Sequence, residues 1–226
     1  MGMTAATARF KLYQDWLSAR TVKPAPVMAG LNTARPLKLD AAGMAAEGWW
    51  AGMPLDIGEG LRIGGYDEDR ALYDSDVFAA TDADDEPRTV HLALDIWAPA
   101  GTEVHAPVHG RVHSFQDNDN LKDYGPTVIL EHMVSPDLVF WTLHGHLSRD
   151  SLEELYVGKE VAAGDVIAQL GDPNENGGWA PHLHVQVILD IGDKIGDFPG
   201  VFRRRDRDYG RLLCPDPRPL LGMTSS

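Results

Sequence analysis

The chain has 226 residues, of which 43% are hydrophobic and 24% are charged. This composition is typical of one globular domain with extensions, and it excludes a disordered, collagen-like or coiled-coil chain. The chain has 20 Lys and Arg residues and 34 Asp and Glu residues, so its formal net charge is −14. Such a charge repels phosphate groups and makes nucleic acid a poor partner. No apolar run is long enough to cross a membrane, and a single cysteine, Cys214, excludes an internal disulfide.

Residues 1–87 are interpreted as an N-terminal extension. Apolar residues at helical spacing predict a short amphipathic helix over residues 5–19. Prolines in residues 21–36 indicate a linker, residues 41–51 are ambiguous, and the acidic stretch 66–86 is interpreted as a solvated loop rather than a metal site. The first residues include early charges and no apolar signal segment, so we expect a cytoplasmic protein without a membrane partner.

Short β-prone runs separated by turn residues begin after residue 88. They cover residues 89–97, 110–115, 127–131, 138–143, 160–170 and 184–189. This spacing predicts a mainly β domain over residues 88–190, built as an antiparallel sandwich or barrel. Residues 191–226, with several glycines and prolines and a run of arginines, predict an irregular tail packed on that domain.

All nine histidines lie between His91 and His184. Such a concentration indicates metal or proton chemistry in the β domain. Two His-x-His pairs, ending at His146 and His184, place both rings on one face if the pair lies in a strand, so that one ring can bind a metal and the other can reach substrate or water. Outside the pairs, His105, His109, His113 and His132 are interpreted as surface or hydrogen-bonded residues, with His105 or His109 as an alternative lining of a groove. His144 is interpreted either in the same way or as a residue that orients a ligand.

The spacing of His91 and Asp95 sets a structural condition. Four residues along a straight strand separate two side chains by ~13 Å, which is too far for one metal ion. The local sequence has the texture of a strand, so shared ligation requires a bend or bulge between the two residues.

Taken together, these motifs resemble the lysostaphin-like (LytM-type) zinc metallopeptidases. The resemblance runs from about residue 88 to residue 190 and is carried by His91-x-x-x-Asp95-Ile, Ala106-Pro-Val-x-Gly110-x-Val, Trp141-Thr-Leu-His-Gly-His146-Leu-Ser and Pro181-His182-Leu-His184. It implies a β domain of the duplicated hybrid motif type and one Zn²⁺ per chain. The implied zinc ligands are His91, Asp95 and His184, and the implied catalytic residues are His146 and His182.

Elementary zinc chemistry agrees with this assignment. A catalytic zinc ion takes three protein ligands and leaves the fourth position for water. No His-Glu-x-x-His motif is present, so a histidine such as His146 or His182 is the natural general base. Trp179, on a glycine-rich loop, is a candidate for lining a substrate groove, as are Tyr124 and His144.

We therefore expect a zinc-dependent endopeptidase acting on a peptide, with a peptidoglycan-type peptide as one candidate and other enzymes as possible module partners. A non-haem iron oxygenase with the same two His and one Asp is an alternative. A non-catalytic binding or carrier module is another, although Lys122, the only lysine between residues 104 and 128, lacks the expected Met neighbour.

Overall fold

The computed structural model describes residues 2–21, 23–49, 57–70, 72–73, 78–80 and 85–223. The helices in these ranges are α1 (Met3–Ala19), α2 (Ala41–Glu47) and α3 (Arg207–Leu213), with short 3₁₀ turns at Leu31–Thr33, Arg149–Leu152 and Arg204–Asp206. The strands are β1 (Arg35–Pro36), β2 (Arg62–Gly64), β3 (Glu68–Asp69), β4 (Val90–His91), β5 (Leu94–Trp97), β6 (Glu103–His105), β7 (Gly110–Asn118), β8 (Gly125–Ser135), β9 (Leu138–Gly145), β10 (Glu160–Val161), β11 (Val166–Gln169), β12 (His182–Ile188) and β13 (Val201–Phe202).

An eight-stranded sheet in the order β1-β2-β5-β12-β9-β8-β7-β10 forms the centre of the fold. Its pairs are antiparallel apart from the parallel pair β1 and β2. The β8–β9 hairpin turns at Pro136 and Asp137, residue types that favour tight turns. Two smaller sheets, β11-β6 and β13-β4-β3, flank the large one. The predicted mainly β architecture is confirmed.

The two faces of the central strands have different partners. Leu94 and Ile96 of β5 pair with Val185 and Leu183 of β12, and all four are buried in one apolar cluster. Because side chains alternate along a strand, the intervening residues point to the opposite face. That second face carries the polar residues of β5 and β12, so the hydrophobic core holds these strands rigidly beneath a polar surface.

The elements near the two ends of the chain differ in detail from the sequence predictions. Helix α1 begins two residues earlier than predicted and packs Tyr13 against Phe140, with ring centroids 5.1 Å apart. The tail is not irregular throughout, because it contains α3, which buries Leu213. A short helix among glycines, prolines and arginines has too little periodic signal to be read from sequence. No helix in the described ranges has both the length and the apolarity needed to cross a membrane.

Three described acidic residues of the stretch 66–86 bind the tail rather than being simply solvated. Arg207 Nε lies 2.7 Å from Asp67 Oδ1, and Arg204 Nε lies 2.6 Å from Asp69 Oδ2. Asp85 pairs with two arginines of the same run, Arg203 and Arg205. The hydrogen bond from Arg204 lowers the pKa of Asp69. The acidic positions 74, 76, 82 and 84 lie outside the described residues.

Candidate active site

The chain bends between His91 and Asp95, as their joint use in one site requires. β4 belongs to the small sheet with β3 and β13, whereas β5 belongs to the large sheet, and the backbone bends at Ala93. The bend brings His91 Nε2 within 3.4 Å of Asp95 Oδ1. The prediction of an interrupted strand is confirmed.

Three buried donor atoms form a nearly regular triangle. His184 lies directly opposite Asp95 in the β12–β5 register, and its Nδ1 is 3.3 Å from Asp95 Oδ1. The same Nδ1 is 3.1 Å from His91 Nε2. Zinc donors at ~2.0–2.1 Å in a tetrahedral arrangement lie ~3.3–3.4 Å from one another. The three residues therefore form a group with the dimensions of a zinc site.

Hydrogen bonds fix which atom each side chain presents. His91 Nδ1 donates to the Gly65 carbonyl at 2.7 Å, which leaves the Nε2 lone pair for a metal. His184 Nε2 has Gln186 Oε1 as an acceptor at 3.3 Å, which leaves Nδ1. Asp95 Oδ1 is buried without a hydrogen-bond partner. A buried carboxylate oxygen without a hydrogen-bond partner is costly, so this atom is suited to coordinate a cation.

The charge states of the donors also suit a metal. Burial lowers the pKa of His91 to about 4, and the charge of Arg70 acts in the same direction. Burial works to raise the pKa of Asp95, but the neighbouring His91, the charge of Arg70 and the close contact with His184 outweigh it and hold that pKa well below the usual value. At neutral pH the imidazole is therefore neutral, Arg70 is the permanent cation and the carboxyl is ionised. Those are the forms that bind a metal.

Two further histidines lie beside the triangle. His146 Nδ1 donates to the Asn176 carbonyl at 2.9 Å, and His182 Nδ1 donates to the Ala180 carbonyl at 2.8 Å. Because carbonyl oxygens only accept, each ring keeps its lone pair on Nε2. The two ring centroids are 4.1 Å apart, and His182 Nε2 is 4.0 Å from Asp95 Oδ1. Burial lowers the pKa of both rings, so both are neutral proton acceptors at neutral pH.

The backbone at His146 is unusual. Its φ of 63° lies in the left-handed region, which non-glycine residues rarely adopt. Hydrogen bonds on both sides hold this conformation, from His146 N to the Tyr124 carbonyl at 2.8 Å and from Gly171 N to the His146 carbonyl at 3.0 Å. The strand β9 ends one residue earlier, so this turn directs the ring into the site.

The site opens into a cavity of about 160 Å³. Trp179 and Tyr124 line it, as the sequence predicts. The Trp179 indole donates to the Asp123 carbonyl at 3.2 Å, and Lys122 Nζ lies 4.0 Å from the centroid of its ring. Tyr124 Oη donates to the Phe198 carbonyl at 3.1 Å and lies 3.5 Å from His184 Nε2.

The structure does not bring His144 to this cavity. His144 is fully buried and pairs with Val128 and Val185, whose side chains belong to the core on the opposite face of the sheet. The expectation of a groove-lining role rested on a strand that continues through His146. Because the left-handed residue follows the end of β9, the two histidines serve different sides of the sheet.

Sequence reasoning missed several residues that shape the site. Arg70, Tyr73 and Phe78 of the N-terminal extension line the cavity, and Arg70 bonds Asp95 Oδ2 at 2.6 Å. Gln186 connects a candidate ligand to the tail, because its amide donates to the Pro199 carbonyl and to Cys214 Sγ. Its position two residues after His184, on the same strand face, is the only local signal that could have identified it.

The contact to Gln186 leads to a prediction about Cys214. Burial raises the pKa of this thiol to about 12, and the side chain is completely enclosed. We expect no reaction with a thiol reagent in the native state and one reactive thiol per chain after denaturation, since only the thiolate reacts. Absorbance titration measures both, with Cys214→Ser as the blank. Rapid modification of the native chain would contradict the structure.

Comparison with known proteins gives one family match. Residues 89–195 match Peptidase family M23. No curated protein matches the chain.

The chain is also similar to solved structures of peptidases. The catalytic domain of the antimicrobial peptidase lysostaphin from Staphylococcus simulans is 24% identical over 59% of this chain and 80% of that one, with a TM-score of 0.42. A zinc-containing peptidase from Vibrio cholerae is 21% identical over 61% and 36%, with a TM-score of 0.40. A putative glycyl-glycine endopeptidase, LytM, from Ruminococcus gnavus is 23% identical over 57% and 44%, with a TM-score of 0.36. The chain thus spans less than half of the last two proteins.

Proposed function

We propose that this chain, whose residues 89–195 belong to peptidase family M23, is a zinc-dependent endopeptidase. The observation that carries the proposal is the triangle of donor atoms on His91, Asp95 and His184, with edges of 3.1, 3.3 and 3.4 Å. One of its corners, Asp95 Oδ1, has no hydrogen-bond partner. A bound zinc ion would polarise the scissile carbonyl and lower the pKa of a water molecule toward ~7.

The chain's own residues supply the proton chemistry. His146 and His182 hold free Nε2 lone pairs on the cavity side of the triangle, where either can accept the proton of an attacking water and return it to the leaving amine. When a ring becomes positively charged, its Nδ1–H bond to a backbone carbonyl strengthens. The Asn176 and Ala180 carbonyls therefore fix the tautomer of each neutral ring. They also stabilise a ring after it has accepted the proton.

The cavity supports a peptide as the substrate class. Aromatic side chains, including Trp179, Tyr124 and Tyr73, provide apolar walls beside the polar centre. A peptidoglycan-type peptide is the substrate we propose, and this finer assignment rests on the family. The test panel accordingly contains an oligoglycine, muropeptides and unrelated peptides.

The first experiment measures metal content together with cleavage. We expect about one zinc per purified wild-type chain, cleavage of one peptide class, loss of cleavage with a chelator, and recovery on adding zinc. Asp95→Asn is expected to lose most of the metal because it replaces the anionic donor with a neutral amide. Asp137→Asn, in the exposed β8–β9 turn, is the matched control and is expected to behave as wild type.

Two results would overturn the proposal. Iron in the purified protein with oxygen uptake would favour the oxygenase alternative, which uses the same three side chains. A wild-type chain that binds no divalent metal and cleaves no peptide would favour a non-catalytic binding module.

A further inference from the structure

A buried arginine from outside the family segment contacts the carboxylate of the proposed metal site. Arg70 directly follows β3, and its side chain is 3% exposed. Its Nη1 atom lies 2.6 Å from Asp95 Oδ2, the oxygen that points away from His91 and His184. The contact thus joins residue 70 of the N-terminal extension to the centre of the site.

Other residues hold the guanidinium in place. Nε donates to Glu68 Oε2 at 2.8 Å, and Nη1 also donates to Tyr73 Oη at 2.9 Å. Glu68 is itself fixed, since its other oxygen accepts from the Leu39 amide at 2.9 Å. Burial disfavours the charged guanidinium, but Tyr73, Asp95 and Glu68 raise the pKa of Arg70 above its usual value. The group is a permanent cation with a fixed direction.

We propose that Arg70 is a positioning residue of the zinc site, which occupies Asp95 Oδ2 and leaves Oδ1 as the single oxygen offered to the metal. The inference rests on the proposed function. A carboxylate free to rotate could bind through both oxygens and fill the position that a catalytic zinc keeps for water. By holding one oxygen, Arg70 keeps that position open.

Orientation, rather than net charge, is the basis of this role. Arg70 and Glu68 have opposite charges and pair closely, so removing both leaves the summed charge of the pair unchanged. Residues that orient metal ligands typically contribute 10–100-fold to metal affinity. Arginine suits the task because its planar fork reaches several acceptors at once, which the single ammonium of lysine does not. In this proposal the N-terminal extension supplies a residue that orients a metal ligand, in addition to residues that line the cavity.

The test uses the double variant Glu68→Gln/Arg70→Met in the full chain. Removing both charges together avoids leaving a buried glutamate without its partner. Zinc affinity is measured by competition with a chelator, and the visible absorption of the Co²⁺-substituted protein reports the coordination number. We expect zinc affinity to fall by about 10–100-fold and the Co²⁺ bands to weaken, because Asp95 gains freedom to bind through both oxygens.

Arg207→Met is the matched control. Arg207 binds Asp67, three residues before Arg70, and contacts none of the three proposed ligands. A role limited to holding the extension would give the two variants the same effect, and equal losses would overturn the inference. Arg70→Lys is the second variant should the double variant fail to fold; we expect a folded chain with weakened zinc binding, and wild-type affinity with a wild-type Co²⁺ spectrum would also overturn it.

The outcome separates this inference from the proposed function. A wild-type chain that binds no zinc would overturn both. A wild-type chain that binds zinc and cleaves a peptide, with unchanged zinc affinity and Co²⁺ spectrum in the Arg70 variants, would overturn the positioning role alone.

Discussion

Replacing His182 with alanine is expected to lower peptide turnover by about 10²–10⁴-fold while zinc stays bound, the usual contribution of a general acid–base group. His182 Nε2 is 4.0 Å from Asp95 Oδ1, outside the donor triangle whose longest edge is 3.4 Å. The ring can therefore accept and return a proton without coordinating the metal. Steady-state kinetics gives the turnover, and elemental analysis of the same sample gives the zinc content.

His146→Ala should have a similar effect, since the two rings share the same face of the cavity. If they act as one unit, the double variant will lose little more activity than either single variant. His109→Ala is the matched control because that ring is exposed on the surface, with a partner in Glu160. Loss of zinc in His182→Ala would instead make His182 a ligand.

Strand geometry predicts much of the site from the sequence alone. The rise per residue of a strand showed that His91 and Asp95 could share a metal only across a bend, and the chain changes sheets at that point. The same rule placed His144 and His146 together and was wrong. It assumes that a strand continues, and no sequence pattern announces a left-handed histidine directly after Gly145.

Contacts between segments that are distant in the chain cannot be predicted from the sequence. Arg70 lies 25 positions before Asp95, in an extension whose other charges indicate only a solvated loop. Likewise, the acidic stretch and the arginine run near residue 204 have opposite charges, but 135 positions separate Asp69 from Arg204. Charge composition does not indicate which acidic residue pairs with which arginine.

The domain boundaries and the cytoplasmic location stay predictions.

Acid is expected to destabilise the chain strongly, for reasons independent of catalysis. Burial lowers the pKa of His132 and His91 to about 4 and that of His144 to about 3. In the unfolded chain each is about 6.5, so between about pH 6.5 and pH 4 the unfolded state binds more protons than the folded state. Stability is therefore highest above pH 6.5 and falls as the pH drops through this window. The depressed pKa of Asp95 adds a loss only at lower pH, below its unfolded value.

The expected effect approaches the whole stability of a typical domain. Each histidine that stays neutral in the folded chain lowers the free energy of unfolding by about 1.4 kcal/mol per pH unit below its unfolded pKa, or by about 2 kcal/mol at pH 5. Three such residues reach on the order of 6 kcal/mol, against roughly 5–15 kcal/mol for unfolding a native protein. Urea denaturation at pH 7 and pH 5, with a chelator present to remove metal, measures the difference in the free energy of unfolding.

His144→Leu separates the contribution of one buried ring. It removes a titrating group from the apolar core without touching the cavity, so the pH dependence of the unfolding free energy should flatten by about 1.4 kcal/mol per pH unit. His109→Gln, at an exposed position, should leave the slope unchanged. Equal unfolding free energies for the wild-type chain at pH 7 and pH 5 would contradict burial of these rings in their neutral form, because a neutral ring held away from water must give up its proton before the chain folds around it.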